Sequence, residues 1–384
     1  MVAAVRRGIS QREVARCFRV SLDTVQRWVQ RAAGRRLDRV DWSDRSAAPH
    51  TLPTRTARDM EELVLTVRRE LREQSELGEF GAAAIRRELE ARQLAAVPSL
   101  RTINRILARR GALDARHRMR HKPPPRGWYL PDVAAGKAEV DQFDAIEGLH
   151  IKDGPEVEVV TAIALQSGLI EVWPSLGVTA ASARACLIEH WRAVGLPSYA
   201  QFDNDTRFQG PHHHPDVIGS VMRLCLSLGV VPVFAPPRES GFQAAIESLN
   251  GRWQAKVWAR FQHASLEALQ TQSAKYVVAS RAREAVRRER APARRPFPAE
   301  WRLDLQAHPH GRVVFLRRTT DTGAVQLLGH LFVVDPLWPH RLVRCELELD
   351  AGVIRFYRLR RRDPDHQPLV ATVPDMLPRR PFRE

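Results

Sequence analysis

Gln201-Phe202-Asp203-Asn204-Asp205 decides the reading of this chain. An apolar run, Tyr199–Phe202, stops at Asp203, so a strand delivers a carboxylate to its own end. Upstream, Glu139-Val140-Asp141-Gln142-Phe143 sets Asp141 inside another apolar run. Downstream, Ala245-Ile246-Glu247-Ser248-Leu249-Asn250-Gly251 sets Glu247 early in a helical pattern. The segments between alternate. Strands are expected at 138–143, 156–165, 169–173, Tyr199–Phe202 and 230–234, with helices at Ala180–Val194, 215–228 and 241–261. Three strands in series, then helix–strand–helix–strand–helix, describe a mixed sheet with helices packed on it.

Carboxylates placed close together and half buried repel one another and resist desolvation. A divalent cation reverses that penalty, and hard oxygen ligands select Mg²⁺ or Mn²⁺. Two such ions about 4 Å apart activate a water or a 3′-hydroxyl and stabilise the leaving oxygen of a phosphodiester. Three unrelated acids, one of them at a strand end, are the plain alternative, because Asp and Asn are common in turns.

The charge of the 384-residue chain is partitioned in the same sense. Its net charge is +16, from 60 Lys plus Arg against 44 Asp plus Glu. Residues 127–250 carry 7 basic and 15 acidic residues, whereas residues 1–126 carry 28 and 15. The last two stretches, 251–300 and 301–384, return to net positive charge. An acidic middle between basic arms fits metal held by carboxylates and phosphate held by arginines. No apolar run approaches a membrane span, and the first eight residues lack the apolar stretch of a secretory signal. The four cysteines (17, 186, 225, 345) form no pair of metal-binding or redox spacing, so thiols in a reducing cytosol are expected.

The arms read as follows. Ser10 to Glu13 has capping-box spacing, and Val14, Cys17 and Phe18 continue a helical stripe. Ser21 caps a second helix at 22–33, with Leu22, Val25, Trp28 and Val29 inward. Thr24, Gln26, Arg27 and Arg31 then face outward, as a recognition helix requires. A second helical module has Met60, Leu63, Val64, Val67 and Leu71 on one helix, then Ile85 and Leu89, then Ile103, Ile106 and Leu107. It leaves Arg101, Asn104 and Arg105 outward. Residues 114–131 are basic and Pro-rich, and His117 and His121 lack the Cys pair of a zinc finger. Beyond the basic 266–290 stretch and a Pro/Arg linker, β-branched runs at 312–317, 324–334, 341–349 and 353–359 read as a small barrel.

The order of these segments resembles the DDE transposase and retroviral-integrase superfamily, nearest in kind to bacterial insertion-sequence transposases. The residues that carry the likeness are Asp141 in its strand; Phe202-Asp203-Asn204 with Phe208, for an Asp-Asn-Gly-x-x-Phe pattern; and Pro236-Pro237-Arg238, Gly241, Glu247-Ser248 and Asn250-Gly251, for a Pro-rich loop and acid-bearing helix. The likeness spans nearly the whole chain. It implies a multidomain protein: helix-turn-helix at 1–50, a second helical module at 56–113, a linker at 114–135, a ribonuclease-H-like α/β core at 136–265, a basic helix and linker at 266–300 and a small all-β barrel at 301–384.

It further implies metal-dependent cleavage and strand transfer at element ends. Asp141, Asp203 and Glu247 would hold two Mg²⁺ or Mn²⁺ ions, with Asp144 and Asp205 as the next candidates, and Asn204 would steady the strand-end loop. Arg252 and Lys256 would grip phosphates. Double-stranded DNA, both element ends and target, is the implied partner of a homo-oligomer working in the bacterial cytosol at the nucleoid. Two positions depart from the pattern: Asp205 stands where Gly is usual and Arg207 where Glu is common. A catalytically inactive, domesticated DNA-binding protein is the second reading. A ribonuclease-H-type nuclease is the third, which the two helix-turn-helix modules disfavour.

Overall fold

The computed structural model describes residues 1–43, 56–94, 96–113, 125–211, 215–239, 241–378 and 381–382. The chain divides into two compact units, Met1–Met60 and Glu61–Glu384.

The first unit holds α1 (Val2–Arg6), α2 (Gln11–Phe18) and α3 (Leu22–Arg31). Ser10 Oγ accepts from Glu13 N, and Ser21 Oγ accepts from Thr24 N, so both expected caps form. Val14, Ala15 and Val25 are buried together, and Val2, Ala32 and Val40 close a second small core. The helix α1 has no counterpart in the sequence reading. Cys17 and Phe18 also differ from expectation, for both are exposed. The buried stripe of α2 runs through Val14 and Ala15, and the helix ends at Phe18 before another turn can be covered.

The second unit begins within α4 (Arg58–Gln74), which with α5 (Ala82–Ala91) and α6 (Leu100–Arg109) buries Val64, Val67, Ile85, Leu89, Ile103, Ile106 and Leu107 in one cluster. Ser99 caps α6 as Ser21 caps α3, accepting from the amide three residues on. Glu61 is buried against Arg109 at the end of α6 and Arg110 just past it, which fixes the helices ionically as well as through apolar packing.

The linker expected at 114–135 is described from Pro125 on, while His117 and His121 lie outside the described residues. Its second half is core: Trp128, Tyr129 and Leu130 are each 2% exposed and pack with Phe242 ahead of the short α7 (Pro131–Ala134).

The sheet follows with β1 (Val140–His150), β2 (Glu156–Ala164), β3 (Ile170–Ser175), α8 (Ala180–Val194), β4 (Tyr199–Phe202), α9 (Thr206–Gln209), α10 (Ser220–Ser227), β5 (Val231–Phe234), α11 (Ala244–Trp253), α12 (Leu266–Arg283) and α13 (Ala285–Glu289). The C-terminal strands are β6 (Arg312–Arg318), β7 (Ala324–Leu327), β8 (His330–Val333), β9 (Leu342–Glu348), β10 (Val353–Arg358) and β11 (Leu369–Pro374).

The small barrel expected at 301–384 does not form among the described residues. One nine-stranded sheet runs β11-β10-β9-β6-β5-β4-β1-β2-β3, with β7 and β8 as a separate pair. β6 pairs parallel with β5, setting Val314 beside Val233 and Phe315 beside Phe234, whose rings stack at 5.3 Å. The physical reason is edge satisfaction. β5 would otherwise present an unpaired edge, and β6 is apolar on both faces, so it suits a sheet interior. Val313 and Phe315 join the core under α8 and α10, whereas Val314 and Leu316 join the one around Trp128.

The basic 266–300 stretch also turns inward. Arg281 pairs with Glu171 and Arg283 with Glu79, while Arg287 donates to the carbonyls of Leu165 and Gln166. Among the described residues no helix is long and apolar enough to cross a membrane.

Candidate active site

Strand parity decides which acids meet. In the parallel β1–β4 pair, Val140, Asp141 and Gln142 stand beside Tyr199, Ala200 and Gln201, so continuing the register sets Asp144 beside Asp203. Alternate residues point to opposite faces. Phe143 stacks on Phe202 at 5.6 Å and meets Trp191 of α8 on one face. On the other face Gln142 Nε2 donates to Gln201 Oε1 at 2.8 Å, and Gln142 Oε1 accepts from Ile246 N of α11 at 3.2 Å. Asp144 shares that second face, toward α11, which carries Glu247 and Asn250.

Asp144 is half buried and held by donors. Ala145 N donates to Oδ1 at 2.9 Å, and Asn250 Nδ2 to Oδ2 at 2.7 Å. Asn250 Oδ1 in turn accepts from Thr161 Oγ1 of β2 at 2.8 Å. Burial, then the charge of Asp203, with Glu247 a smaller contributor, push the Asp144 carboxyl up to about 6. Burial likewise raises Asp203, opposed by the Asp205 amide that donates to its Oδ1 at 3.0 Å. Glu247 lies exposed in the first turn of α11. Among the described residues, no group of three or more His, Cys, Asp or Glu side chains is drawn together closely enough to hold a metal ion.

Asp141 goes elsewhere. Its odd offset from Asp144 turns it to the α8 face, where it is fully buried. Arg294 donates to it in a fork, Nη1 to Oδ1 at 2.8 Å and Nη2 to Oδ2 at 2.5 Å. Trp191 Nε1 donates to Oδ2 at 3.1 Å, and His190 Nε2 lies 3.5 Å away. Burial alone would raise this carboxyl, but the guanidinium outweighs it and holds Asp141 well below the usual carboxylate range. The family resemblance implies Asp141 as the first acid, with Asp144 among the next candidates, and places the strand at 138–143. The strand runs on to His150, and Asp144 occupies the place beside Asp203.

The two departures find local explanations. Asp205 has φ −61° and ψ 141°, an extended N-cap that needs no glycine, and its Oδ1 accepts from Arg207 N at 2.8 Å. Arg207 is held by Asp205, Glu147 and Glu158. Asp205 thus serves α9 and pairs with Arg207. Asn204 Nδ2 donates to Ala235 O at 2.7 Å, tying the ends of β4 and β5 together, and Phe208 stacks on Phe202 at 5.2 Å. His212, His213 and His214 lie outside the described residues.

A buried polar network missed by the sequence reading seats α11. Tyr129 Oη donates to Gln201 Oε1 at 2.5 Å and lies 3.0 Å from Phe242 O, and both glutamine amides donate to Phe242 O. The only sequence signal was two glutamines in runs that should be buried. Replacing Gln142 with Leu leaves Ile246 N without its acceptor and takes one of two donors from Gln201 Oε1. A loss of roughly 1–3 kcal/mol is expected from the desolvated groups, read by urea melts. An unchanged midpoint would show the network to be dispensable.

The expected DNA contacts divide. Gln26, Arg27, Arg101, Asn104 and Arg105 are exposed. Thr24 Oγ1 is shared with the Ser21 cap at 2.8 Å. Arg31 lies over the Trp28 ring and reaches Asp41 at 3.3 Å. Lys256 is engaged, its Nζ donating to Gly78 O at 3.0 Å beside the Phe80 ring, so it ties the core to the helical module. Arg252 Nε donates to Ser248 O within its own helix.

Residues 1–40 match the homeodomain-like domain family. Similar solved structures include the catalytic core domain of BIV integrase, at 17% identity over 37% of this chain and 80% of that one, with a TM-score of 0.27. A chain of the simian T-cell lymphotropic virus intasome in complex with PP2A regulatory subunit B56 gamma gives 16%, 72%, 88% and 0.33. The HTLV-2 integrase catalytic core domain in complex with magnesium, dimeric form, gives 13%, 40%, 86% and 0.27. No curated protein matches the chain.

Proposed function

We propose that this chain is a DDE-type DNA transposase or integrase whose acids are Asp144, Asp203 and Glu247. The observation that carries the reading is the pair of half-buried, mutually repelling carboxylates on neighbouring strands, Asp144 within β1 and Asp203 just past the end of β4, near the helix that bears Glu247. Such a pair is unfavourable in a resting protein and gains from a cation, and three carboxylates offer the hard oxygen set that Mg²⁺ or Mn²⁺ takes. Asp144 and Asp203 would hold the ions, with Glu247 completing the set. When bound, the ions activate a water or 3′-hydroxyl and stabilise the leaving oxygen.

The chain's own residues supply the rest. Asn250 and Ala145 N each hold one oxygen of Asp144, which leaves each oxygen further acceptor capacity for the site. The Asn204–Ala235 bond fixes the height of Asp203. The Gln142–Gln201–Tyr129 network sets the N-terminus of α11 and so places Glu247. Gln26 and Arg27 on α3, and Arg101, Asn104 and Arg105 on α6, would meet DNA grooves and backbone. Oligomers on paired ends, in a bacterial cytosol, complete the reading.

The test is strand transfer with element-end duplexes and Mg²⁺ or Mn²⁺. Asp203→Asn and Glu247→Gln are expected to lose transfer while retaining DNA binding. Full activity in either variant sinks the enzymatic reading, and binding without any transfer by the unmodified chain favours the domesticated DNA-binding protein. Arg27→Gln and Arg105→Gln should each flatten the dependence of log K on log salt by about one ion in binding titrations. Unaltered slopes would remove these residues from the DNA interface.

A further inference from the structure

We propose that a buried arginine at the end of β6, Arg317, forms a subsite for a DNA phosphodiester beside the strand-end loop of Asp203. The proposal rests on the DNA-processing reading above and adds to it a contact from the C-terminal strands. Arg317 is 9% exposed. One of its nitrogens, Nη1, donates to Leu316 O at 2.9 Å and to Ala235 O at 3.3 Å. The guanidinium lies over the Phe315 ring at 5.0 Å. Among the described residues no carboxylate pairs with it, and burial lowers its affinity for its proton. A buried cation with no acid partner is a large local cost unless an anion completes it.

The surroundings are built for one. Arg317 lines a cavity of about 540 Å³ together with Asn204, Gln209, Pro237, Thr320 and Gln326. Gln209, at the end of α9, is 8% exposed, and its buried Oε1 has no hydrogen-bond partner. Its amide therefore stands ready for a ligand, in whichever orientation the oxygen and nitrogen are assigned. Ala235 O receives both Asn204 Nδ2 and Arg317 Nη1, so the cavity is tied to the residue after Asp203. Arg318 is engaged with Glu239 and contributes no free charge here.

Parity separates the two places. Arg317 follows Val313 and Phe315 on the α8 and α10 face of the sheet, whereas Asp144 faces α11. A strand crossing the ends of β4 and β5 toward β6 would present one phosphate to the acids and another to Arg317. The planar fork suits a phosphodiester's two unesterified oxygens, with the Gln209 amide as an additional donor.

The experiment uses the full chain and a mixed-sequence duplex oligonucleotide. Arg317→Met should weaken binding and flatten the log K against log salt slope by about 0.9, the value of one phosphate contact. Its thermal midpoint without DNA should not fall, since an unpaired buried charge is removed. Arg317→Lys should keep the slope but bind more weakly, because the fork is lost. Gln209→Leu should weaken binding at unchanged slope, and this arm stands even if Arg317→Met does not fold.

Unchanged affinity and slope in the Arg317→Met and Gln209→Leu variants overturns the subsite, as does a lowered midpoint with unaltered DNA binding. If inorganic phosphate raises the midpoint of the unmodified chain but not of Arg317→Met, while DNA slopes agree, the site takes free phosphate and the DNA assignment falls. Failure of strand transfer alone overturns the enzymatic reading and leaves these slopes intact.

Discussion

Asp144→Asn is expected to abolish strand transfer and, without metal, to raise the stability of the protein. The loss should be at least about two to three orders of magnitude, the scale on which removing one pre-organised electrostatic partner acts. The stability gain follows from the sign of the shift. The Asp144 carboxyl sits at about 6 in the folded chain, raised by burial and then by Asp203. An unfolded Asp titrates near ~3.9. Between those values the folded state holds the extra proton, so stability rises as pH falls through about 6 and the ionised carboxylate is a liability above it. At pH 7 the variant should therefore gain roughly 1–3 kcal/mol in urea melts, and the gain should vanish at pH 4. Mg²⁺ should narrow the difference at pH 7 by stabilising the unmodified chain alone. A variant that melts earlier than the unmodified chain at pH 7 would mean that Asp144 is a structural acid, with Asn250 its structural partner.

Asp141→Asn is expected to do the reverse, costing about 3–5 kcal/mol of stability by leaving the Arg294 guanidinium buried without its partner. Arg294 also donates to Gly195 O, so its linker is anchored to the turn after α8 through the same group. The folded carboxyl lies below its unfolded value, so the contribution is complete above about pH 5 and is lost only as pH falls through the depressed folded value. Between pH 5 and 8 the difference between variant and unmodified chain should not change. A paired replacement, Asp141→Leu with Arg294→Met, should recover most of the loss, because apolar side chains need no counter-charge. Calorimetry across that pH range reads all three forms. A stable Asp141→Asn protein that cannot transfer strands would return Asp141 to the catalytic set and remove Asp144 from it.

The opposite facing of Asp141 and Asp144 shows how far the linear pattern reaches. Both acids lie in one strand three residues apart, and both sit near apolar neighbours. A helix would have put them on one face, but a strand puts them on opposite faces. The choice depends on which face meets the Glu247 helix, and that depends on the partner strand's register. The barrel expected at 301–384 has the same origin. Its strands were recognised from β-branched runs, but a run of apolar residues does not state which edge it pairs with. Arg281, Arg283, Arg287 and Arg294 add a third case, for net charge counts arginines equally whether they meet carbonyls or solvent.

By itself the sequence determined the elements of this protein: two helical modules with their serine caps, an α/β core with its strand order along the chain, and a strand-end acid at Asp203 followed by a helix bearing Glu247. These are local properties, set by periodicity and by capping within a few residues. Only the tertiary structure decided that Asp144 meets Asp203, that Arg294 claims Asp141, that β6 completes the edge of β5 and that Arg317 lines a cavity without an acid beside it. Those outcomes rest on pairing between residues far apart in the chain, where register, sheet edge and burial choose among partners that composition and spacing leave equivalent.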